Sequence, residues 1–598
     1  MCRLTAMPIP DDAGEVESTA PDLAGHLPSS RTPRSTPMSD ARSPAPLAIA
    51  QKLDELFKPW NRSDAPGMTV GIRHQGKLIY RHGFGLASIE HAVANTPGMR
   101  MRIGSTSKHF CCLGIMLLAE DGRVDIDKPV GHYLPELGAI CGRPTLLQLM
   151  HHTGGLHDPA ALTLFQYGGQ YPQLARGGHL QLMPLLEAVN FAPGSRFAYS
   201  NSGYHLLSVL IERLSGQEWG EFMDQRVFAP LGMSATALLR SDLDVCPNMA
   251  SLHVRMPDGQ WRRGIYPSDE LLGSGGMIST VDDMLVWTEH LRSKQKRVGS
   301  AATWSRMLEP QTFPNGSGHC YALGLHIERH RGVKIIQHAG ATLGSMHQML
   351  IAPEHGLDII VMCNRMDAPA PALALKALEA VLEGEGLGPE VIPPAAADHP
   401  ALQGRWYSRA SKTLVEITAY RAHPDRPECL ALSTFNQLVG VLRRADMGLA
   451  QPDGPFSTLE IRQPPEGSIP PATIDVHICG EPECFEHLPD VPPAAESLSA
   501  ELCGRYRQPG YPKEMEIALR DGKLVLDLLP LHGYGYWELQ PYSREVLGCG
   551  LFHSEPQDPL PRKAMLVVQR QDDKVTGLLL SFDRLRGVPF ARVQGHRE

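Results

Sequence analysis

The six residues Ala401-Leu402-Gln403-Gly404-Arg405-Trp406 return one hundred positions later as Glu501-Leu502-Cys503-Gly504-Arg505-Tyr506. A second pair keeps the same offset: Val415-Glu416-Ile417-Thr418 returns as Met515-Glu516-Ile517-Ala518. Two matches at one offset mark a duplicated unit, and each copy of a duplication must bury a core of its own. A Pro/Ala linker precedes each copy, Ile392-Pro393-Pro394-Ala395-Ala396-Ala397 and Val491-Pro492-Pro493-Ala494-Ala495. Short alternating strands with Gly and Pro turns follow, as in Lys523-Leu524-Val525-Leu526-Asp527. The expectation is two homologous antiparallel β domains of small-barrel type, over 399–490 and 499–598.

Upstream the texture differs. A chain of 598 residues corresponds to about four domains at roughly 150 residues each, but the region from Ile49 to about Leu387 reads as a single large unit, which leaves three. Met68-Thr69-Val70-Gly71-Ile72-Arg73-His74 and Lys77-Leu78-Ile79-Tyr80-Arg81, joined by Gln75-Gly76, have the pattern of a hairpin. Thr106 to Glu120 reads as a buried helix, apolar on most faces, and Tyr204–Leu214 and Asp282–Leu291 as amphipathic helices. Val333–Gln337 and Leu357–Met362 are strand-like. Strands at both ends of a helix-rich middle predict an α+β domain over 47–390 whose terminal strands share one sheet. Residues 1–46 are Pro/Ser-rich, lack the apolar run of an export signal and are expected to be disordered, with Met38 an alternative start.

Composition narrows the function classes. With 56 Lys plus Arg against 65 Asp plus Glu, the net charge is −9, which argues against a nucleic-acid partner. No apolar run approaches the roughly 20 residues that span a bilayer, so no membrane partner is expected. Twelve cysteines are too few for a disulfide scaffold, and reduced thiols in the cytoplasm are expected. Cys479, Cys484 and His487 superficially suggest a metal, but their spacing is not that of a zinc knuckle. His151, His152, His157 and Asp158 form a second group of metal-type side chains.

Nucleophilic chemistry is suggested where a loop meets the buried helix. Ser105-Thr106-Ser107-Lys108 puts a serine at a helix N-terminus, where the dipole favours developing negative charge. Lys108 lies one turn on, within reach of the Ser105 hydroxyl, and a desolvated lysine can serve as a base. Ser293-Lys294-Gln295-Lys296 repeats the spacing in a solvated basic run with no buried helix behind it, and is a decoy. In Tyr199-Ser200-Asn201, alternation along an extended segment aims Tyr199 and Asn201 into one space, the phenol to shuttle a proton and the amide to orient the lysine. His338-Ala339-Gly340 follows a strand, where glycine permits close backbone approach.

In this order the three elements resemble the penicillin-recognising serine hydrolase superfamily, which includes serine β-lactamases, D-Ala-D-Ala carboxypeptidases, esterases and D-aminopeptidases. Leu146-Leu147-Gln148-Leu149-Met150-His151-His152-Thr153-Gly154-Gly155-Leu156, Pro230-Leu231-Gly232-Met233 and Gly275-Gly276-Met277-Ile278-Ser279-Thr280 resemble further runs of that superfamily. The resemblance covers about residues 50–380. It implies a β-lactamase-like domain, an antiparallel sheet with helices, that needs no cofactor and no metal, at His151, His152, His157 and Asp158 or elsewhere. It also implies roles: Ser105 as nucleophile, Lys108 as its base, Tyr199 as proton donor to the leaving group, Asn201 as orienting amide. His338 stands where β-lactamases carry the lysine of Lys-Thr-Gly, a variant that looks like the D-aminopeptidase branch. The oxyanion donors would be the backbone N–H groups of Ser105 and of Ala341, beside Gly340.

Two barrels behind such a domain resemble D-stereospecific aminopeptidases, in which a loop of the last barrel enters the active site. The end of the chain, Leu578-Leu579-Leu580-Ser581 through Arg586-Gly587-Val588, has the matching character. The candidate loop is Leu531-His532-Gly533-Tyr534-Gly535-Tyr536-Trp537-Glu538, with Tyr534, Tyr536 and Trp537 as substrate-binding residues. That family uses a carboxylate in this region; here the loop centre is aromatic, with Asp527 and Glu538 only at its flanks. The implied partner is a small peptide, amide or ester, and a homodimer is the candidate assembly. The leading expectation is an aminopeptidase releasing N-terminal D-residues. The alternatives are an esterase or D,D-carboxypeptidase/β-lactamase-like hydrolase with the same machinery, and an inactive ligand-binding module.

Overall fold

The computed structural model describes residues 44–593 except 168–174, 187, 266–269, 271, 422–424, 435–436, 446–447, 451–458, 463, 490, 509–513, 529–534 and 555–562. The disorder expected over 1–46 therefore lies outside the described residues up to 43. Its last three residues belong instead to a helix, α1 (Pro44–Phe57).

One antiparallel sheet carries the first unit. Its strands are β1 (Met68–His74), β2 (Lys77–Phe84), β3 (His326–His330), β4 (Val333–Thr342), β5 (Ser345–Ala352) and β6 (Leu357–Cys363), in the order β3-β4-β5-β6-β1-β2. The two ends of the unit meet where Met68 pairs with Cys363 and His74 with Leu357. Alternation decides what each face covers. Ile359, Val361 and Cys363 pack with Leu53 and Phe57 of α1 and with Leu373, Ala377 and Val381 of a late helix. Ile360 and Met362 point the other way, into the larger core beneath α2 (Ser107–Glu120). Every residue of α2 from Ser107 to Leu118 is buried, which is why its sequence is apolar almost all round.

The remaining helices used below are α3 (Pro159–Tyr167), α4 (Asn201–Ser215), α5 (Val281–Arg292) and α6 (Ala370–Val381), the last being the late helix just described. A Cβ on Gly71 would lie 2.2 Å from Val281 Cγ1, so glycine in β1 is what lets α5 seat on the sheet.

The duplication is present down to strand register. Gly404–Ser408 pairs with Thr413–Tyr420 so that Gly404 faces Ile417 and Trp406 faces Val415. Gly504–Arg507 pairs with Glu514–Arg520 so that Gly504 faces Ile517 and Tyr506 faces Met515. The equivalent aromatics even share a bond: Trp406 Nε1 donates to the Leu402 carbonyl at 2.8 Å, and the Tyr506 hydroxyl to the Leu502 carbonyl at 2.6 Å. The second copy is a closed eight-stranded barrel. The first is a nine-stranded sheet whose two edge strands, Gln437–Val441 and Arg443–Ala445, are consecutive in the chain, which makes it a near-closed barrel.

The second barrel is not filled by its own residues alone. Ala161, Leu162 and Phe165 of α3 belong to its core. The Phe165 ring stacks on Trp537 with centroids 5.2 Å apart and planes at 13°, and Trp537 Nε1 donates to the Phe165 carbonyl at 3.2 Å. Among the described residues, no helix is long and apolar enough to cross a membrane.

Candidate active site

Ser105 sits in a tight turn, Gly104–Thr106, that leads directly into α2. Two glycines bring this turn against β4. Gly104 has φ +50°, and a Cβ there would lie 2.6 Å from the backbone nitrogen of Ala341. A Cβ on Gly340 would lie 1.8 Å from the Ile103 carbonyl oxygen. No other residue type fits either position. The result sets the backbone of Ser105 beside that of Ala341, as oxyanion donors require. β4 runs to Thr342, well beyond the Gln337 end read from sequence, so His338, Gly340 and Ala341 are all carried on it.

Lys108 is fully buried, yet its Nζ has three partners. The Ser105 hydroxyl is 3.2 Å away, Asn201 Oδ1 2.9 Å and the Ser274 carbonyl 2.6 Å. Two of these can only accept, and the third is a hydroxyl able to donate. A neutral amine, with two N–H bonds and one lone pair, matches that set without remainder. Burial drives Lys108 well below the usual lysine range, and the nearby Arg584 charge adds to the effect. Burial thus favours an uncharged Lys108, whose Nζ faces the Ser105 hydroxyl.

Tyr199 lines the same cavity as Ser105, and its ring centroid lies 4.8 Å from Lys108 Nζ. Burial pushes its phenol above the usual tyrosine range, so it stays protonated and able to donate. Asn201 is not on an extended segment with Tyr199. Ser200 is extended and caps α4, its hydroxyl accepting the Gly203 N–H at 3.3 Å, and Asn201 is the first helical residue. The change from strand to helix still leaves both side chains against Lys108.

His338 lines the same cavity but is 3% exposed and engaged at both ring nitrogens. Its tautomer can be read from its neighbours. The Ser200 N–H donates to His152 Nδ1 at 3.0 Å, so the neutral His152 ring carries its proton on Nε2. That nitrogen reaches the Tyr321 hydroxyl at 3.0 Å, which reaches His338 Nε2 at 3.1 Å. His338 Nδ1 then lies 2.6 Å from the Ala339 carbonyl and must be the protonated nitrogen. Burial keeps both imidazoles well below their ordinary range, consistent with neutral rings. This chain ties the cap of α4 to β4, the two elements that flank Lys108. His152 makes its part of it at φ +60°, a left-handed conformation that costs a residue with a side chain about 1–2 kcal/mol.

A cavity of about 1210 Å³ opens over Ser105, Tyr199 and Gly340 and is closed on one side by the last barrel. The segment that does this is Asp583–Arg586, where the turn that follows the strand Lys574–Phe582 enters the strand Leu585–Arg592. Asn190 clamps it from both sides, donating to the Arg584 carbonyl at 2.9 Å and accepting the Arg586 N–H at 2.8 Å. The Arg584 guanidinium lies 5.8 Å from the Tyr199 ring centre. Of the loop expected in this place, residues 535–538 lie elsewhere. Tyr534 lies outside the described residues, Tyr536 lies against Arg520, and Trp537 is buried in the barrel core against Phe165. The reason is pairing: residues 535–541 continue the barrel ladder, with Trp537 opposite Leu526, so inward-facing Trp537 must fill the barrel.

A family model described as Beta-lactamase matches residues 49–382. The chain belongs to the Beta-lactamase family. Its curated relatives include a D-aminopeptidase of Brucella ovis, 28% identical over 345 residues that cover 57% of this chain and 63% of that one. The chain thus spans less than two thirds of that relative's length. A D-aminopeptidase of Cereibacter sphaeroides is 26% identical over 561 residues, 91% of this chain and 99% of that one. Among solved structures, an octameric penicillin-binding protein homologue from Pyrococcus abyssi shares the fold, with TM-score 0.50 and 19% identity over 91% of this chain and 98% of that one.

Within this Beta-lactamase family member, sequence reading missed Ser274, Tyr321, Asn190 and the 583–586 turn. Ser274 acts through a backbone carbonyl, which leaves no side-chain signal. Tyr321 lies in no motif. The turn lies within the 578–588 stretch singled out for its likeness to a family's barrel, but its arginines were not weighed. The two metal-type groups do not assemble. Cys479 is buried beside Phe197, Cys484 is exposed, and the His487 ring packs on Trp406. His152 faces Tyr321, whereas His157 Nε2 lies 3.3 Å from the Arg586 carbonyl.

Proposed function

We propose that the chain is a serine hydrolase that releases N-terminal D-amino acids from small peptides, amides or esters through an acyl-enzyme on Ser105. The observation that carries this reading is the partner set of Lys108, which suits an uncharged amine facing a serine hydroxyl. Ser105 Oγ attacks the substrate carbonyl carbon as its proton passes to Lys108 Nζ. The backbone N–H groups of Ser105 and Ala341 hold the developing oxyanion; losing one such donor typically costs about 100- to 1000-fold. The bond to the leaving amine or alcohol then breaks, and Tyr199 supplies the proton to that group. Water, deprotonated by the same residues, hydrolyses the ester and restores Ser105. Asn201 holds Lys108, and His338 acts as a positioning residue through Tyr321 and His152.

The D-aminopeptidase reading draws on the Cereibacter relative, which matches along nearly its whole length. Asp583, which lines the cavity and pairs with Arg584 at 3.0 Å, is the carboxylate assigned to the substrate ammonium. One observation favours a second reading: Arg584 and Arg586 line the same cavity, and guanidinium groups suit a substrate carboxylate, as in a D,D-carboxypeptidase. A cytoplasmic homodimer completes the proposal.

Turnover of D-Ala and L-Ala p-nitroanilides, beside an N-acetylated D-Ala analogue, separates these readings. Preferential cleavage of the free D-form supports the first. Cleavage of acylated substrates ending in D-Ala-D-Ala, with no release from D-Ala p-nitroanilide, replaces it with the second.

A further inference from the structure

Behind the catalytic lysine lies a second sealed cluster. His179, His205 and Glu270 are 5%, 1% and 4% exposed. Among the described residues they are the group of His, Cys, Asp or Glu side chains whose donor atoms converge, all within 4.8 Å of one another. Glu270 Oε2 is 2.8 Å from His179 Nδ1 and 3.1 Å from His205 Nε2. The two rings stack 4.3 Å apart. Backbone groups steady the carboxylate: the Gly177 N–H donates to Oε1 at 2.6 Å and the His179 N–H to Oε2 at 3.3 Å.

The decisive atom is His205 Nε2. His205 Nδ1 lies 3.2 Å from the Glu270 carbonyl oxygen, which can only accept, so Nδ1 carries the proton. In the neutral ring Nε2 is then a bare lone pair. It makes no hydrogen bond, although a carboxylate oxygen is 3.1 Å away. Two lone pairs facing each other in a sealed site repel, and a cation between them turns that repulsion into coordination. Metal-bound histidines typically hand their other N–H to a carbonyl or carboxylate. His205 does so to the Glu270 carbonyl, and His179 turns Nε2 toward Asp158 Oδ1, 3.9 Å away.

We propose that His179 Nδ1, His205 Nε2 and Glu270 Oε2 bind a divalent transition-metal ion of the zinc type. Two imidazoles and one carboxylate suit Zn²⁺, whereas Mg²⁺ and Ca²⁺ prefer all-oxygen sites. The ion does not touch substrate. His205 is one helical turn from Asn201 on α4, and Glu270 is four residues before Ser274. Asn201 and Ser274 are the two acceptors that hold Lys108. The ion therefore joins the two segments that position the base, whatever substrate the enzyme takes.

The test is calorimetric titration of the full-length chain with Zn²⁺ after dialysis against dipicolinate. One ion per chain is expected, bound on the order of 10- to 100-fold more weakly, or not at all, by His205→Asn and by Glu270→Gln. Co²⁺ reports the ligands without any variant. Nitrogen and oxygen donors give visible d–d bands and no thiolate charge-transfer band, which separates this site from the 12 cysteines. Absence of stoichiometric Zn²⁺ binding would mean that Glu270 and the imidazoles share a proton instead, and overturns the proposal. So does binding that survives both substitutions, or a thiolate band with Co²⁺. If both variants unfold, the cobalt spectrum of the wild type decides.

Discussion

In the proposed reaction Lys108 serves as the base because of what its neighbours cannot do. A carbonyl and an amide oxygen can only accept, so the one lone pair of a neutral amine is left for Ser105. Burial makes the site hostile to a charged lysine. In the proposed reaction the active form is the deprotonated one. kcat/KM is expected to hold a plateau that begins below the ordinary lysine range and to fall as acid carries the solution down through the depressed lysine pKa. The raised Tyr199 phenol keeps its proton across that plateau. A pH profile checks this, and a plateau reached only above the ordinary lysine range would contradict it. Lys108→Arg puts a permanent charge where a free base is needed, and is expected to cost about 100- to 10,000-fold in kcat. Ser105 and Lys108 were legible because a helical turn fixes their separation. The Ser274 carbonyl and the Ser200–His152–Tyr321–His338 chain were not, since backbone acceptors and long-range pairings carry no local pattern.

At the level of elements, the site depends on where β4 and the 583–586 turn come to rest. Gly104 and Gly340 seat β4, and of the two only Gly340 stands in one of the sequence motifs. The turn was harder, because strand pairing decides which loop of a barrel points at its neighbour. The aromatic stretch 531–538 attracted notice for its composition, but register sends Trp537 into the barrel. Asp583–Arg586 reaches the cavity instead, clamped by Asn190. Asn190→Ala leaves a backbone donor and acceptor of that turn without their partner, at about 1–3 kcal/mol. The expected result is a rise in KM with the Ser105 acylation machinery intact, read from steady-state kinetics beside active-site labelling. Unchanged KM would mean that the turn does not help to hold substrate.

At the scale of the molecule, the duplication at one-hundred-residue spacing was the most legible feature, and it reappears in identical strand pairings. What it could not reveal is that α3 of the first unit fills the second barrel, because a pairing so distant in sequence carries no local pattern. Ala161, Leu162 and Phe165 would face water without the barrel. A chain ended at residue 390 is accordingly expected to aggregate, checked by light scattering; a soluble, monodisperse product would contradict it. Trp537→Ala in the full chain is expected to cost about 3–5 kcal/mol, checked by the denaturant midpoint.

In the proposed reaction Ser105, activated by neutral Lys108, takes up the acyl group. Intact-mass spectrometry after treatment with a fluorophosphonate tests it most directly. The account expects one adduct on the wild type, located at Ser105 by peptide mapping, no adduct on Ser105→Ala, and full labelling of Ser293→Ala. A wild type that stays unlabelled, or a Ser105→Ala variant that still takes the probe, would contradict it.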